Sequence, residues 1–316
     1  MLTAFFGLTG AVIFGSADFL GGLAAKRISA VLVTAVAATS GLVVLLLGLP
    51  FVAGDWSASA VIWGALSGIT GALAISLLYA CLAIGPMSIL SPLTAVVSAI
   101  VPMTAGLLGG ERFLPIGYWA LGLALVAVVL VGFVPERGAV RPRLLGIFMA
   151  IGSGTMIGAF MILIDQTPSD SGLVPLVMNR AVNGSIMFAV VGLIALRTLH
   201  RRRAVAAVPA LIGSGFTSVP ADAARRSHLP RTFTDRSALR TGLKLAVACG
   251  VIDVSANFLL LLGLRLGDLS VVSVLTAMYP AGTILLAAVV LKERIAPVQW
   301  LGLALALAAA GMLAIA

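Results

Sequence analysis

Three ionisable residues, Asp18, Arg180 and Asp253, interrupt long apolar stretches of this sequence. An ionised side chain at the centre of a bilayer costs at least about 2.5 kcal/mol on insertion scales, so each of them requires a partner or a water-filled cavity. Arg180 can hold the carboxylate of a solute or a carboxylate of the chain itself. Asp18 and Asp253 can take up a proton or face a cationic group. The structural alternative is an Asp–Arg ion pair that locks two helices together.

Amide side chains accompany these charges. Asn179 adjoins Arg180, Asn183 follows on the same stretch, and Asn257 lies one helical turn after Asp253. Amides bind solutes through hydrogen bonds, and they equally join membrane helices to one another. We predict five of these polar residues as substrate-binding or coupling residues: Asp18, Asn179, Arg180, Asp253 and Asn257.

Tyr279 completes the predicted site, because it offers an aromatic wall with a hydroxyl group to a solute. The alternative for a tyrosine near the end of a span is an interface anchor. Pro280 follows it and removes a backbone donor inside a helix, so this position is a predicted hinge or unwound point. Pro102 is a second predicted hinge, although the residue that matches Pro280 in the repeat described below is Ser98.

The elements that position these residues are membrane helices. The chain has 316 residues, of which 61% are hydrophobic and only 10% are charged, whereas soluble domains carry roughly 25% charged residues. Apolar stretches of about 20 residues match the length of a helix that crosses a bilayer. This composition excludes a disordered chain, a disulfide scaffold and a membrane β-barrel.

Breaking the chain at charged residues, Pro and Gly gives ten candidate spans. They cover 2–25, 30–53, 60–84, 87–110, 115–134, 144–165, 173–197, 244–265, 269–291 and 296–316. Glycine pairs four residues apart, among them Gly64 with Gly68 and Gly154 with Gly158, predict close packing of helix backbones.

The sequence repeats itself with a period of 182 residues. Glu111 and Arg112 superpose on Glu293 and Arg294, and Thr94 superposes on Thr276 without a gap. We predict a first five-helix repeat at 1–135, a linker at 136–143 and a second repeat at 144–316. Because five is odd, the two repeats are inverted in the membrane, which is typical of transporters. Each Glu–Arg pair is interpreted as an ion pair that caps the turn.

Positive charge is concentrated in one basic loop at 198–243. The stretch 197–244 holds ten Lys and Arg residues against two Asp, and the whole chain carries +9. Clustered bases beside spans face anionic lipid headgroups, so we expect the bilayer and not a nucleic acid as the partner of 197–244. Loops after odd-numbered spans hold seventeen basic residues and loops after even-numbered spans hold two, with Arg180 inside a span; this charge difference places both termini outside.

Several motifs then carry a resemblance to a known family. They are residues 14–22 in the first span, Gly85-Pro86-Met87-Ser88, Gly110-Glu111-Arg112, Met278-Tyr279-Pro280-Ala281 and Leu291-Lys292-Glu293-Arg294. Together with the five-plus-five spans they resemble the EamA-type transporters of the drug/metabolite transporter superfamily. The resemblance implies an all-α integral membrane fold of ten transmembrane helices as two inverted five-helix repeats. It also implies a bacterial cytoplasmic membrane and cytoplasmic termini, the latter against the charge count.

The expected function is secondary transport of a small organic solute, such as a metabolite, an amino acid or a drug-like compound, outward by alternating access. The three lysines follow Ala or Leu, so the sequence has no Gly-Lys phosphate loop, and we expect no cofactor, no metal and no catalytic residue. A monomer is compatible with the sequence. One alternative is an intramembrane enzyme on lipid-linked substrates, with Asp18 and Asp253 as acid and base. Another is a non-catalytic scaffold whose basic loop recruits a partner.

Overall fold

A computed structural model describes residues 2–52, 54–84, 87–132, 143–207, 236–292 and 295–315. Within these ranges the chain forms helices and no strands. The helices are α1 (Leu2–Ala25), α2 (Ala30–Gly48), α3 (Ala58–Ile84), α4 (Met87–Leu108), α5 (Pro115–Gly132), α6 (Leu144–Asp165), α7 (Val174–Ala207), α8 (Arg236–Leu266), α9 (Leu269–Thr276), α10 (Tyr279–Val290) and α11 (Pro297–Leu313). A single 3₁₀ turn, Ser169–Ser171, lies between α6 and α7.

Eight helical stretches among the described residues are long and apolar enough to cross a membrane. Two shorter apolar helices, Pro92–Leu108 and Pro297–Leu313, accompany them. These helices are themselves strongly apolar. An α-helix also satisfies all of its own backbone hydrogen bonds in lipid. The chain is therefore an integral membrane protein that crosses the bilayer several times.

The helices beside the basic loop extend further than the sequence indicated. The predicted loop began at residue 198, but α7 continues to Ala207, and α8 already begins at Arg236. Arg, Leu and Ala favour helices, so the helices continue beyond the apolar segments. Most of the loop (208–235) and most of the predicted linker (136–142) lie outside the described residues.

The two predicted hinge prolines lie in different helical surroundings: the span is interrupted just before Pro280 and is continuous through Pro102. Helix α9 ends at Thr276, and α10 starts at Tyr279, so Ala277 and Met278 interrupt the span. A proline ring clashes with the carbonyl group four residues earlier, and for Pro280 that residue is Thr276. Pro102 instead lies inside the continuous helix α4, and nothing in the structure explains this difference.

Helix packing joins the two halves of the chain. Helix α1 packs on α8 and on the α9–α10 pair, and α3 packs on α6 and α7. Helix α2 contacts α7 and α8, α4 contacts α6, and α5 contacts α11.

Close packing against a neighbouring helix backbone is present at Gly68 and Gly154. A Cβ added to Gly68 would lie 2.6 Å from the carbonyl oxygen of Asn179 on α7. One added to Gly154 would lie 2.6 Å from that of Thr94 on α4. These close contacts bring the polar residues of α7 towards the centre of the bundle.

Candidate functional site

A cavity of about 190 Å³ lies where α1, α3, α4, α6, α7, α8 and the α9–α10 junction meet. The six residues predicted for substrate binding or coupling all line it: Asp18, Asn179, Arg180, Asp253, Asn257 and Tyr279. They come from four helices, α1, α7, α8 and α10, and span 262 positions of the chain (18 to 279, both ends counted). The fold therefore brings the predicted polar residues together in one place.

Arg180 and Asp253 form an ion pair between α7 and α8. The Nη2 atom of Arg180 contacts the Oδ2 atom of Asp253, and their side chains are 10% and 24% exposed. Charge-assisted hydrogen bonds of this kind are short and strong when desolvated. Of the two partners considered for Arg180, the carboxylate of the chain itself is the one present. The structural alternative, a pair that joins two helices, therefore holds for Arg180 and Asp253.

Asp18 is different, because its carboxylate has no counter-charge. It makes no ion pair and no side-chain hydrogen bond within the part of the chain that the structure describes. The residue is exposed and lines the cavity, so its carboxylate faces the cavity space. An unpaired carboxylate in this position is available to a solute or a proton.

The three asparagines have three different environments. The Nδ2 atom of Asn179 donates to Ser67 Oγ on α3 at 2.9 Å, so Asn179 does join two helices. The Nδ2 atom of Asn257 donates to the carbonyl oxygen of Asp253 at 2.8 Å, within its own helix. The Oδ1 atom of Asn183 is buried and has no hydrogen-bond partner among the described residues. Asn183 therefore has an acceptor left for a ligand.

Thr276 is a lining residue that sequence reasoning missed. It is the last residue of α9, is 3% exposed, and its Oγ1 atom has no hydrogen-bond partner among the described residues. Its repeat partner Thr94 donates to the carbonyl oxygens of Leu90 at 3.0 Å and Ala150 at 3.2 Å. The 182-residue register aligns these two threonines, but it does not reveal that only one of them is satisfied.

The helix break at Tyr279 is held against α1. A Cβ on Gly15 would overlap the carbonyl oxygen of Tyr279 and lie 2.7 Å from the Cα of Gly282. In addition, Thr283 Oγ1 donates to the carbonyl oxygen of Gly15 at 3.0 Å. This contact fixes the start of α10 one turn away from Asp18. Tyr279 therefore lines the cavity at a point where the span is interrupted.

Apolar side chains complete the cavity wall. Phe14 on α1 and Phe160 on α6 add aromatic rings, and α3 and α6 contribute aliphatic residues, among them Ile75 and Met161. Their role in the cavity wall is not visible in the sequence, since they resemble the other apolar positions of their spans. Together they leave room for the nonpolar part of a solute.

Glu111 caps a helix, whereas an ion pair with its neighbour Arg112 was predicted. Its carboxylate accepts hydrogen bonds from the backbone N–H groups of Leu269 (2.7 Å) and Ser270 (3.1 Å). These are the first two residues of α9, whose N-terminal donors have no partners inside the helix. Glu111 therefore caps a helix of the other half of the chain and is not paired with Arg112. The equivalent pair, Glu293 and Arg294, lies outside the described residues.

Within the described ranges, no three His, Cys, Asp or Glu residues are grouped so that they could hold a metal ion.

Comparisons with known proteins agree with this fold. Residues 203–315 match the model of the EamA-like transporter family, which confirms the predicted resemblance over that part of the chain. A solved crystal structure is similar with a TM-score of 0.64 and 16% identity, over 99% of this chain and 96% of that chain. That likeness concerns the fold alone. A search of curated proteins finds no match.

Proposed function

We propose that this chain is an EamA-type secondary transporter that moves a small organic solute outward across its membrane by alternating access. The observation that carries the proposal is that all six predicted residues line one cavity in an apolar bundle. Polar residues inside a membrane are costly, and they mark solute or ion pathways. The match of residues 203–315 to a transporter family supports the same function.

The packing of the helices supports ten spans in two inverted repeats. If α9 and α10 count as one span, α1–α5 correspond in order to α6, α7, α8, α9–α10 and α11. The contact of α1 with α8 then matches that of α3 with α6, and the contact of α2 with α8 matches that of α3 with α7. Exchanging the two halves leaves the contact of α5 with α11 unchanged, and it also leaves the contact of α2 with α7 unchanged. A two-fold relation between the halves produces this pattern.

Register partners from both halves of the chain line the cavity. The 182-residue register aligns Gly71 with Asp253 and Ile75 with Asn257, and all four line the cavity. When two equivalent halves exchange conformations, a central site opens to one side and then to the other. The interruption at Ala277 and Met278 provides a hinge beside the site. The cap of Glu111 on α9 is a contact between the two halves beside the site, and such a contact can hold the halves together in one of the two conformations.

The test is solute flux through purified protein in liposomes. Radiolabelled 2-phenylethylamine, phenylalanine and glucose serve as probes of an amine, an amino acid and a sugar. We expect saturable, protein-dependent flux of at least one probe, recovered chemically unchanged, with flux reduced by about tenfold or more in Asn257→Leu. Asp55→Asn is the matched control, since Asp55 is exposed in the turn before α3.

Two results would contradict the proposal. Folded protein that passes none of the three probes would remove the transport function. A probe that emerges chemically modified would favour the intramembrane enzyme.

A further inference from the structure

The charges around the cavity do not balance. Among the described residues that line it, Arg180 is the one cation, and Asp253 already occupies it. Asp18 faces the same cavity without a cation. When all three groups are ionised, the cavity carries one net negative charge. A solute that brings one positive charge would neutralise it.

The unpartnered polar atoms of the cavity wall can each accept a hydrogen bond from a ligand. Asn183 Oδ1 is an amide oxygen, so it can only accept a hydrogen bond. Thr276 Oγ1 can accept one as well, and both residues are at least nine-tenths buried, at 4% and 3% exposure. An ammonium group carries up to three N–H donors and no acceptor. The number of its donors therefore matches the carboxylate of Asp18 and the two unpartnered oxygens.

The rest of the wall fits a compact apolar body. Phe14, Phe160 and Tyr279 present aromatic rings to the cavity, and aromatic faces attract organic cations. The volume of about 190 Å³ is slightly larger than the cavity of about 150 Å³ that holds one benzene molecule in an engineered protein. The space therefore accommodates one ring with a short side chain.

We infer that the cavity binds a small organic amine with a single positive charge and one ring, whose ammonium group lies on Asp18 and donates to Asn183 and Thr276. This inference rests on the proposed function and names its substrate class. A carboxylate solute is disfavoured, because the guanidinium group of Arg180 is engaged by Asp253. A zwitterion carries the same disadvantage on one of its two ends.

The experiment compares four probes of similar shape on the purified full chain. They are 2-phenylethylamine, 2-phenylethanol, phenylacetate and phenylalanine, which differ in charge. Binding is measured by calorimetry, and ligand-dependent thermal stabilisation is a second readout. We expect the amine to bind at least about tenfold more tightly than the other three. We expect Asp18→Asn to lose that preference, and Asp18→Glu and the surface control Asp55→Asn to keep it.

The probe series is decisive even if a variant fails to fold, because it is run on the unaltered protein. Phenylacetate, phenylalanine or phenylethanol binding as tightly as the amine would overturn the inference, and so would no binding of the amine. Retention of the amine preference by folded Asp18→Asn would overturn the role of Asp18. Flux of phenylalanine or glucose without amine binding would support the transport function and overturn the amine site. Amine binding without flux of any probe would support the amine site and overturn the transport function.

Discussion

Helices α3 and α8 are aligned by the 182-residue register, yet they give the cavity different chemistry. Gly68 of α3 and Gly250 of α8 are register partners, and each lies against the backbone of a neighbouring helix, α7 and α2 respectively. One turn further on, α3 contributes Gly71 and Ile75, whereas α8 contributes Asp253 and Asn257. The two helices therefore share their packing face and differ in the face that lines the cavity.

This difference separates the residues that build the fold from the residues that line the cavity. The glycine contacts occur in both halves, so either half supports the bundle. Among the described residues, the charge pair occurs once, between α7 and α8. A repeat can therefore duplicate its scaffold while only one copy carries the charge pair.

The largest expected effect comes from breaking the charge pair of the polar wall. Arg180→Ala leaves the partly buried carboxylate of Asp253 without a partner inside the helix bundle, and this should cost up to about 3–5 kcal/mol of stability. The double substitution of Arg180→Met with Asp253→Leu removes both charges, so we expect it to recover most of that stability. Thermal unfolding in detergent measures both. A single variant as stable as the unaltered chain would contradict the pair seen between α7 and α8.

The shared packing face should respond equally in both halves. Gly68→Ala and Gly250→Ala each place a Cβ against backbone atoms, and each should cost about 1–3 kcal/mol through overpacking. Gly122→Ala is the matched control, because a Cβ there meets nothing within 4 Å. The same unfolding assay applies. A large cost in one half alone would break the equivalence of the two packing faces.

The smallest expected effect distinguishes the two repeat-related threonines. Thr94→Val removes a hydroxyl group that donates within and between helices, so stability should fall by about 1 kcal/mol. Thr276→Val removes a buried hydroxyl group without a partner, so stability should stay the same or rise. Equal losses at both positions would show that Thr276 is already satisfied.

Sequence reasoning found the charged part of the site because charge is rare in these spans. Asp18, Arg180 and Asp253 each require a partner or a cavity inside an apolar stretch, and this requirement identifies all three as candidate site residues. The break at Pro280 followed from the missing backbone donor. The 182-residue period indicated which helices correspond, which the packing then supported.

Other parts of the site depend on distances that the sequence does not contain. Glu111 caps a helix 158 residues away, and its neighbour Arg112 suggested a local pair instead. Phe14 and Phe160 are ordinary apolar residues until the fold brings them to one cavity. Thr276 matches Thr94 in sequence, and only the surrounding atoms separate a satisfied hydroxyl from an unsatisfied one.

The most direct test of the account asks whether the cavity opens to each side in turn. Ile75→Cys places a thiol on the apolar wall, opposite in the register to Asn257, in a chain whose Cys81 and Cys249 are replaced by Ala. A membrane-impermeant maleimide is then applied to right-side-out and to inside-out vesicles. The account predicts labelling from both sides. Labelling from one side alone would contradict alternating access at this cavity.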